Sequence, residues 1–311
     1  ATDTADKWIA NHILAKTVAY EFDDGENRGY MHYAVTVNGD GTNLGGVTVS
    51  DDLAGYNEAT RINDLAGNDI TDEFPMPDWE FATEKFRVEN VTDGIDSMQG
   101  YGIGEGKTTF ENGLLHVPLG ELQKKYRIHI YMELKNKDAF LARNVKIITG
   151  NTATAAADEF TCPQKTFSVS AAQPAAQDAF ANKLIDKKSL GYDGDGIPAN
   201  ILWEVRFNPN GAALGYCAVE DTVPAGMEFD YDSVELYVSA HTGGTVTGTG
   251  AKVPKTGYRV DVAAHADGSS TMKVTPPQDG RAYTLRYRTN ITGTLTDMNV
   301  KNDAVLLSGG S

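Results

Sequence analysis

The sequence predicts an all-β chain that folds as two tandem antiparallel β-sandwich domains with Greek-key connections. Three observations lead to this prediction. Short runs of alternating apolar and polar residues recur along the chain, 32 of the 311 residues are glycine, and runs with helical periodicity are scarce. A chain of 311 residues is also long enough for two domains that each bury a core of their own.

An internal repeat divides the chain into two halves of similar design. Three runs in the first half have counterparts, in the same order, in the second: ANHILAK (10–16) and ANKLIDK (181–187), MHYAVTVN (31–38) and ILWEVRFN (201–208), and YRIHIYMEL (126–134) and YTLRYRTNI (283–291). Repetition of this kind indicates a duplicated domain. We therefore predict domain 1 over residues 1–158 and domain 2 over residues 159–311, with a linker near 157–165, where the alternation lapses.

Three polar residue types recur at matching places in the two halves. Each half has a lysine early, an aspartate in the middle and an asparagine near its end: Lys16, Asp51 and Asn151 in the first half, and Lys187, Asp221 and Asn302 in the second. Strand alternation places Lys16 on the same face as Leu14 and Val18. The aspartates follow valine at the same two-residue spacing, so we expect the lysines and the aspartates to be buried.

The two asparagines are predicted to lie inside strands. In NVKNDAVLL (299–307), alternation puts Asn302 on the face shared by Ala304 and Leu306, and ITGNTATA (148–155) has the same Asn-x-Ala string. An unpaired carboxamide on an apolar face costs roughly 2–7 kcal/mol. These positions therefore indicate buried amides with a chemical role.

The lysine of the second half has two candidates. Lys187 matches the first-half run without a gap and follows the apolar Ile185 by two residues. Lys188 matches a local string instead, because Lys-Ser-Leu then corresponds to Lys-Thr-Val. We prefer Lys187 and keep Lys188 as the alternative.

Buried lysine, aspartate and asparagine side chains together can form a covalent bond. Burial favours the neutral amine and the protonated carboxyl, because desolvation penalises both charged forms. A neutral amine is a nucleophile, and a protonated carboxyl that donates to the amide oxygen polarises it and moves protons. Attack on the asparagine amide releases ammonia and leaves a Lys–Asn isopeptide bond. The reaction takes place once in each domain, so the sequence predicts self-processing and not an enzyme.

The local strings around these residues resemble a known family. They are LAK, VSDDL and GNTA in the first half, and IDK, VEDTV and KNDA in the second. They resemble the self-crosslinking immunoglobulin-like domains of Gram-positive cell-wall adhesins and pilins, with the second half similar to a collagen-adhesin domain. The resemblance implies two tandem immunoglobulin-like Greek-key β-sandwich domains. It also implies two crosslinks: Lys16–Asn151 with Asp51 as catalyst, and Lys187–Asn302 with Asp221 as catalyst.

The resemblance further implies a bacterial surface adhesin region that binds a host or extracellular-matrix protein such as collagen or fibrinogen. Such a protein is secreted and attached to the peptidoglycan of the cell wall through a region outside this segment. The alternative is a force-bearing stalk or pilus-shaft module without a ligand of its own. VPKTG (253–257) is similar to a sortase sorting signal, but it lies inside the second half and is predicted to be a turn.

Ordinary structural roles are the alternative for the six site residues. Lysines near strand ends are usually solvated, aspartates after strands usually form turns, and asparagines usually cap loops. Two matching sets in one chain favour crosslinking over this alternative.

The two cysteines, Cys162 and Cys217, have no metal-ligand spacing. They could form a single disulfide if the protein is secreted. The alternative is two unpaired thiols, one of them buried.

Charge and composition exclude several function classes. A formal net charge of −16 disfavours binding to nucleic acid and to anionic membranes. No run of about 18 apolar residues predicts a membrane span. YDGDGIPAN (192–200) begins like a calcium loop but has proline where such loops need glycine, so neither a metal nor a cofactor is predicted.

Overall fold

The structure, a computed structural model, describes residues 13–23, 28–41, 43–56, 60–162, 165–174, 180–192, 199–242, 245–293 and 302–309. Within these ranges the regular elements are almost all strands, which confirms the all-β prediction.

The strands, numbered in chain order, are β1 (Leu14–Asp23), β2 (Arg28–Val37), β3 (Leu44–Asp52), β4 (Arg61–Asn63), β5 (Trp79–Phe81), β6 (Arg87–Asn90), β7 (Thr109–Glu111), β8 (Leu114–Leu122), β9 (Tyr126–Leu134), β10 (Val145–Ile148), β11 (Thr152–Cys162), β12 (Lys165–Pro174), β13 (Phe180–Asn182), β14 (Ile185–Gly191), β15 (Asn200–Phe207), β16 (Cys217–Val223), β17 (Met227–Thr242), β18 (Thr245–Lys252), β19 (Arg259–Ala264), β20 (Ser270–Thr275), β21 (Tyr283–Ile291) and β22 (Ala304–Ser308). The short helical elements are α1 (Asp138–Leu141) and four 3-10 turns, at Ala54–Tyr56, Thr71–Glu73, Thr83–Lys85 and Lys255–Gly257. The strands predicted at 126–134 and 283–291 are confirmed, since β9 and β21 have those bounds.

The chain divides into two compact units. Unit 1 comprises Ala1–Lys137 and Lys146–Ala181, and unit 2 comprises Asp138–Val145 and Asn182–Ser311. The boundary predicted between residues 158 and 159 falls within β11, which pairs with β12 in unit 1. The pairing register of these strands shifts between Ala157 and Phe160. A β-bulge in a paired strand, and not a linker, therefore interrupts the alternation there.

Unit 1 has two large antiparallel sheets. Sheet A has the order β1-β2-β9-β5, with β6 also paired to β9, and sheet B has the order β12-β11-β3-β8-β7. A small third sheet has the order β13-β10-β4. Alternate residues of β2 and β3, such as Val35 and Val49, are buried, as the sequence alternation requires. Lys16 of sheet A contacts Asp51 of sheet B, so the inner faces of the two sheets meet.

The described residues of unit 2 also form two large antiparallel sheets. Sheet C has the order β14-β15-β21-β17-β18, and sheet D has the order β19-β20-β16-β22. Its core includes Val205 and Leu285 of sheet C and Val219 and Met272 of sheet D, all at most 1% exposed. The pairings within all four large sheets are antiparallel.

The two site asparagines do not lie inside strands, so that prediction is wrong. β11 begins at Thr152, one residue after Asn151, and β22 begins at Ala304, two residues after Asn302. The ladder between β16 and β22 ends at the pair Asp221–Ala304, which leaves Asn302 beyond the paired segment. Alternation in sequence shows which face a residue would take, but it does not show where pairing stops.

The asparagines that end the matched runs in β2 and β15 have a structural role. Asn38 and Asn208 have positive φ angles of 56° and 53°, and both are at most 2% exposed. The amide of Asn208 donates to the carbonyls of Ala212 at 3.0 Å and Gly280 at 2.9 Å, and its oxygen accepts from the Ala212 N–H at 2.9 Å. Asparagine tolerates a positive φ angle, and its side chain also makes hydrogen bonds of this kind. This combination explains why asparagine ends both matched runs.

Replacing Asn208 should therefore destabilise unit 2 by two separable effects. Asn208→Ala loses the buried hydrogen bonds and strains the positive φ angle, so we expect the free energy of unfolding to fall by about 3 kcal/mol. Asn208→Gly loses only the bonds and should be more stable than the alanine variant by about 1 kcal/mol. Urea denaturation measures both.

The control is Asn112, which has φ 52° in the exposed turn between β7 and β8. Asn112→Ala should lose only the backbone contribution, about 1 kcal/mol, and Asn112→Gly should be nearly neutral. An Asn208→Ala variant as stable as the parent chain would contradict the role given to this side chain.

Candidate functional site

In unit 1, β1 and β3 bring Lys16 and Asp51 together between sheets A and B. The Nζ atom of Lys16 donates to Oδ2 of Asp51 at 2.7 Å, and both side chains are fully buried. The other oxygen, Oδ1 of Asp51, has no hydrogen-bond partner among the described residues. Lysine and aspartate are almost never buried to this extent unless they are paired.

Asn151 lies beside the same carboxyl group. Ala153 of β11 is paired with Asp51, and Asn151 stands two residues before it, as a diagonal neighbour of Asp51 across the strands. Burial raises the pKa of Asp51, and the Asn151 side chain is among the groups that oppose this rise. Asn151 is 4% exposed, yet neither its Oδ1 nor its Nδ2 has a partner in the described part of the chain. The amide is thus buried beside the carboxyl of the pair.

Unit 2 contains a second pair of the same kind. The Nζ atom of Lys187 in β14 donates to Oδ2 of Asp221 in β16 at 2.5 Å, with side-chain exposures of 8% and 0%. Oδ1 of Asp221 again has no partner among the residues described. Lys187 is paired across the sheet with Val205, as Lys16 is with Val35, so the two lysines occupy equivalent places in their sheets.

Asn302 stands in the same relation to Asp221 as Asn151 does to Asp51. Asp221 is paired with Ala304, and Asn302 lies two residues before this alanine. The side chain is largely buried, at 8% residue exposure, and both of its polar atoms lack a partner within the described ranges. The structure therefore brings together, in each unit, the lysine, aspartate and asparagine that the sequence singled out.

Aromatic rings cover both lysine amines, a feature that the sequence reasoning missed. The Nζ atom of Lys16 lies 4.7 Å from the ring centroid of Tyr33, and that of Lys187 lies 4.6 Å from Trp203 and 5.7 Å from Tyr287. Tyr33 and Trp203 occupy the same position in the matched runs of β2 and β15. This correspondence in the sequence could have predicted an aromatic ring near each lysine. The rings exclude water from the amines while still tolerating a positive charge.

Desolvation shifts both members of each pair towards their neutral forms. Burial lowers the pKa of Lys16 and of Lys187, although the partner carboxylates oppose this change. Burial likewise raises the pKa of Asp51 and of Asp221, opposed by the partner lysines. A neutral amine and a protonated carboxyl are the forms that attack on an amide requires.

The charged residues next to Lys187 and Asp221 in sequence form ion pairs outside the site. The Nζ atom of Lys188 lies 3.2 Å from Oε1 of Glu204 and its side chain is 48% exposed, so Lys187 is the lysine beside Asp221. Glu220 precedes Asp221, but its Oε1 lies 3.4 Å from Nζ of Lys273 and its side chain is 37% exposed.

The remaining sequence predictions concern other parts of the chain. Cys217 is a free, buried thiol whose pKa is raised by burial to about 11. The side chain of Cys162 lies outside the described residues, but because Cys217 is unpaired, the predicted Cys162–Cys217 disulfide is not formed in this structure. The turn predicted at VPKTG is confirmed, since Lys255–Gly257 is a 3-10 turn.

Two further observations apply to the described ranges alone. They contain no helix that is both long enough and apolar enough to cross a membrane. They also contain no cluster of three or more histidine, cysteine, aspartate or glutamate residues that could hold a metal ion.

Comparisons with known proteins give structural neighbours only. No family model matches the chain, and no curated protein matches it. The collagen-binding domain of a Staphylococcus aureus adhesin is 16% identical, with a TM-score of 0.27, over 42% of this chain and 89% of that chain. The collagen adhesin of S. aureus is 12% identical, with a TM-score of 0.27, over 97% of this chain and 89% of that chain.

A third neighbour is the major pilin SpaA of Corynebacterium diphtheriae, described in terms of modular pilus assembly and stabilising isopeptide bonds. It is 11% identical, with a TM-score of 0.33, over 95% of this chain and 62% of that chain. These neighbours are adhesins and a pilin, the classes that the sequence motifs resemble. Identities below 25% and TM-scores below 0.5 carry no functional argument, so the interpretation of the site depends on its geometry.

The burial of the lysines predicts their reactivity in the folded protein. In an Asn151→Ala/Asn302→Ala chain, which keeps both lysine–aspartate pairs but cannot crosslink, an amine-acylating reagent should modify the exposed Lys188 readily and should leave Lys16 and Lys187 unmodified. Modification of a buried amine requires local opening, and each 1.4 kcal/mol of opening free energy slows labelling about tenfold. Mass spectrometry of proteolytic fragments measures the extent of labelling at each lysine.

Lys183, whose side chain is 57% exposed, serves as an internal reference for this experiment. Labelling of Lys187 at the rate of Lys188 and Lys183 would contradict the placement of its amine between the sheets.

Proposed function

We propose that each domain forms one intramolecular isopeptide bond, Lys16–Asn151 in the first and Lys187–Asn302 in the second. The observation that carries this proposal is a buried Lys–Asp pair beside an unpartnered asparagine amide. It occurs twice, with the asparagine at the same register relative to the aspartate.

The reaction uses only groups present in each site. The lysine amine attacks Cγ of the asparagine, whose carbonyl oxygen accepts a hydrogen bond from the protonated aspartate. The aspartate takes a proton from the attacking nitrogen and delivers one to the leaving nitrogen. A new C–N bond forms, the original C–N bond of the asparagine breaks, and ammonia leaves. No cofactor and no other reactant is required.

The bonds would brace each domain between its early and late segments. Each closes a loop of more than about 100 residues, for which the chain-entropy relation gives about 5 kcal/mol of stabilisation. An amide crosslink is also not reducible, unlike a disulfide. These properties suit a protein under tension outside the cell.

Intact mass under denaturing and reducing conditions tests the crosslinks. The chain should be lighter than its sequence predicts by two ammonia molecules. Asp221→Ala should restore the mass of one ammonia, and Asp51→Ala should restore the mass of the other, because each removes one catalyst.

Matched controls are available next to each catalyst. Glu220→Ala and Asp52→Ala remove exposed carboxylates that adjoin the site and should leave both crosslinks intact. A parent chain with the full mass calculated from its sequence would rule out both bonds.

On this basis the chain is a ligand-binding region of a bacterial surface adhesin, secreted and attached to peptidoglycan through a region outside this segment. Support comes from the tandem Lys–Asp–Asn sites and from the motifs that resemble cell-wall adhesins. The ligand class is an extracellular-matrix protein such as collagen or fibrinogen. A force-bearing stalk or pilus-shaft module is the rival, since the same crosslinks serve it equally.

Binding to immobilised collagen and fibrinogen separates these two functions. We expect saturable binding of the chain to at least one of them and none to immobilised albumin. Absence of binding to both proteins would favour the stalk. Binding by the parent chain should also be compared with binding by the Asp51→Ala/Asp221→Ala chain, so that the contribution of the crosslinks is measured separately.

A further inference from the structure

Three buried hydroxyl groups form a closed hydrogen-bonded triangle in unit 1. The hydroxyl of Tyr33 lies 2.7 Å from that of Tyr56 and 3.2 Å from Oγ1 of Thr149, and Oγ1 of Thr149 lies 3.2 Å from the Tyr56 hydroxyl. All three residues are at most 1% exposed. Each hydroxyl can donate once and accept once in such a ring, so the triangle is self-contained.

Tyr33 connects the triangle to the lysine. Its ring covers the Lys16 amine, at 4.7 Å from Nζ to the ring centroid, while its hydroxyl bonds to Thr149. Thr149 follows β10 and stands two residues before Asn151. One tyrosine therefore contacts both the nucleophile and the segment that carries the acceptor.

The segment benefits from such an anchor because the interaction of the Asn151 amide is with the reacting Asp51 carboxyl itself, and no other described group holds the amide. Placement of the backbone then sets how close the amide carbon lies to the Lys16 amine. Tyr56, at the end of the 3-10 turn Ala54–Tyr56, fixes the triangle from a second side, and Thr60 donates to the Tyr56 carbonyl at 3.1 Å. Thr149 is thus tied to two different elements of unit 1.

The described residues of unit 2 do not repeat this arrangement. Trp203 takes the place of Tyr33, and its Nε1–H donates to Oγ1 of Thr289 in β21 at 2.9 Å. The hydroxyl of Tyr287, the second ring over Lys187, has no partner within the residues described. Among the described residues the two rings thus have different partners from those of Tyr33, so the Lys187–Asn302 site serves as an internal reference within the same chain.

We propose that Tyr33 and Tyr56 are positioning residues for the Lys16–Asn151 reaction, acting through Thr149 to hold the segment that carries the asparagine. This inference rests on the proposed crosslink. Burial raises the pKa of Tyr33 to about 12 and places that of Tyr56 well above its ordinary value. Both phenols therefore keep their protons near neutral pH, and the ring of donors stays complete.

Paired substitutions at Thr149 test the proposal. Thr149→Val keeps the shape but removes the hydroxyl, and Thr149→Ser keeps the hydroxyl. Misplacement of reacting groups by about 1 Å slows a reaction about 100-fold, so we expect Thr149→Val and Tyr56→Phe to slow the first bond by about 10- to 100-fold. Thr149→Ser should react at nearly the parent rate.

The measurement is a time course of ammonia loss after a short pulse of protein synthesis, resolved by domain through the crosslinked proteolytic fragments. The Lys187–Asn302 bond is the internal reference and should form at the parent rate in every variant. Circular dichroism of the same variants in an Asn151→Ala background, which cannot form the first bond but keeps the Lys16–Asp51 pair, measures whether unit 1 is folded.

The outcomes are distinguishable. A first bond that forms at the parent rate in both Thr149→Val and Tyr56→Phe overturns the positioning role and leaves the proposed crosslink intact. Equal slowing of both bonds in a variant also overturns the positioning role, because the effect is then not specific to the first site. Slowing of the first bond in Thr149→Ser overturns it too, because the effect then does not depend on the hydroxyl. A parent chain that never loses ammonia from its first domain overturns the proposed function itself.

Discussion

Desolvation of one lysine–aspartate pair in each domain is the constraint on which the rest of the structure depends. Each pair lies between two sheets, so neither charge is solvated by water. Removing one partner of a buried pair costs about 3–5 kcal/mol, because the other charge remains uncompensated. A sequence that keeps two such pairs therefore carries this cost twice. The crosslinking reaction that we propose converts the lysine amine into a neutral amide and so removes its charge.

Sheet register determines which amide adjoins each pair. In both units the aspartate is paired with an alanine, and the asparagine lies two residues before that alanine. The surroundings differ, since unit 1 has a tyrosine hydroxyl network and unit 2 has a tryptophan and a tyrosine over the amine. The shared register and an aromatic ring over each amine are thus common to the two units, whereas the hydrogen bonds of those rings differ.

Alternation in the sequence was sufficient for the strands and for the buried lysines and aspartates. β9 and β21 have the predicted bounds, although β9 is buried continuously from Ile128 to Leu134 and the burial of β21 alternates over only part of its length. It failed for Asn151 and Asn302, since the end of a ladder depends on the partner strand. It also failed for Tyr56 and Thr149, which lie in a 3-10 turn and after a strand, where no periodicity marks a burial pattern. The register shift in β11 interrupts the alternation inside a paired strand, and the sequence alone does not distinguish such an interruption from a linker.

The central claim is that two specific side-chain pairs are covalently joined, and fragment mapping tests it most directly. The chain is denatured, reduced and digested, and the fragments are sequenced by tandem mass spectrometry. The account predicts one branched fragment joining Lys16 to Asn151 and another joining Lys187 to Asn302. Recovery of all four residues in separate, linear fragments would contradict it, and so would a branch at Lys188.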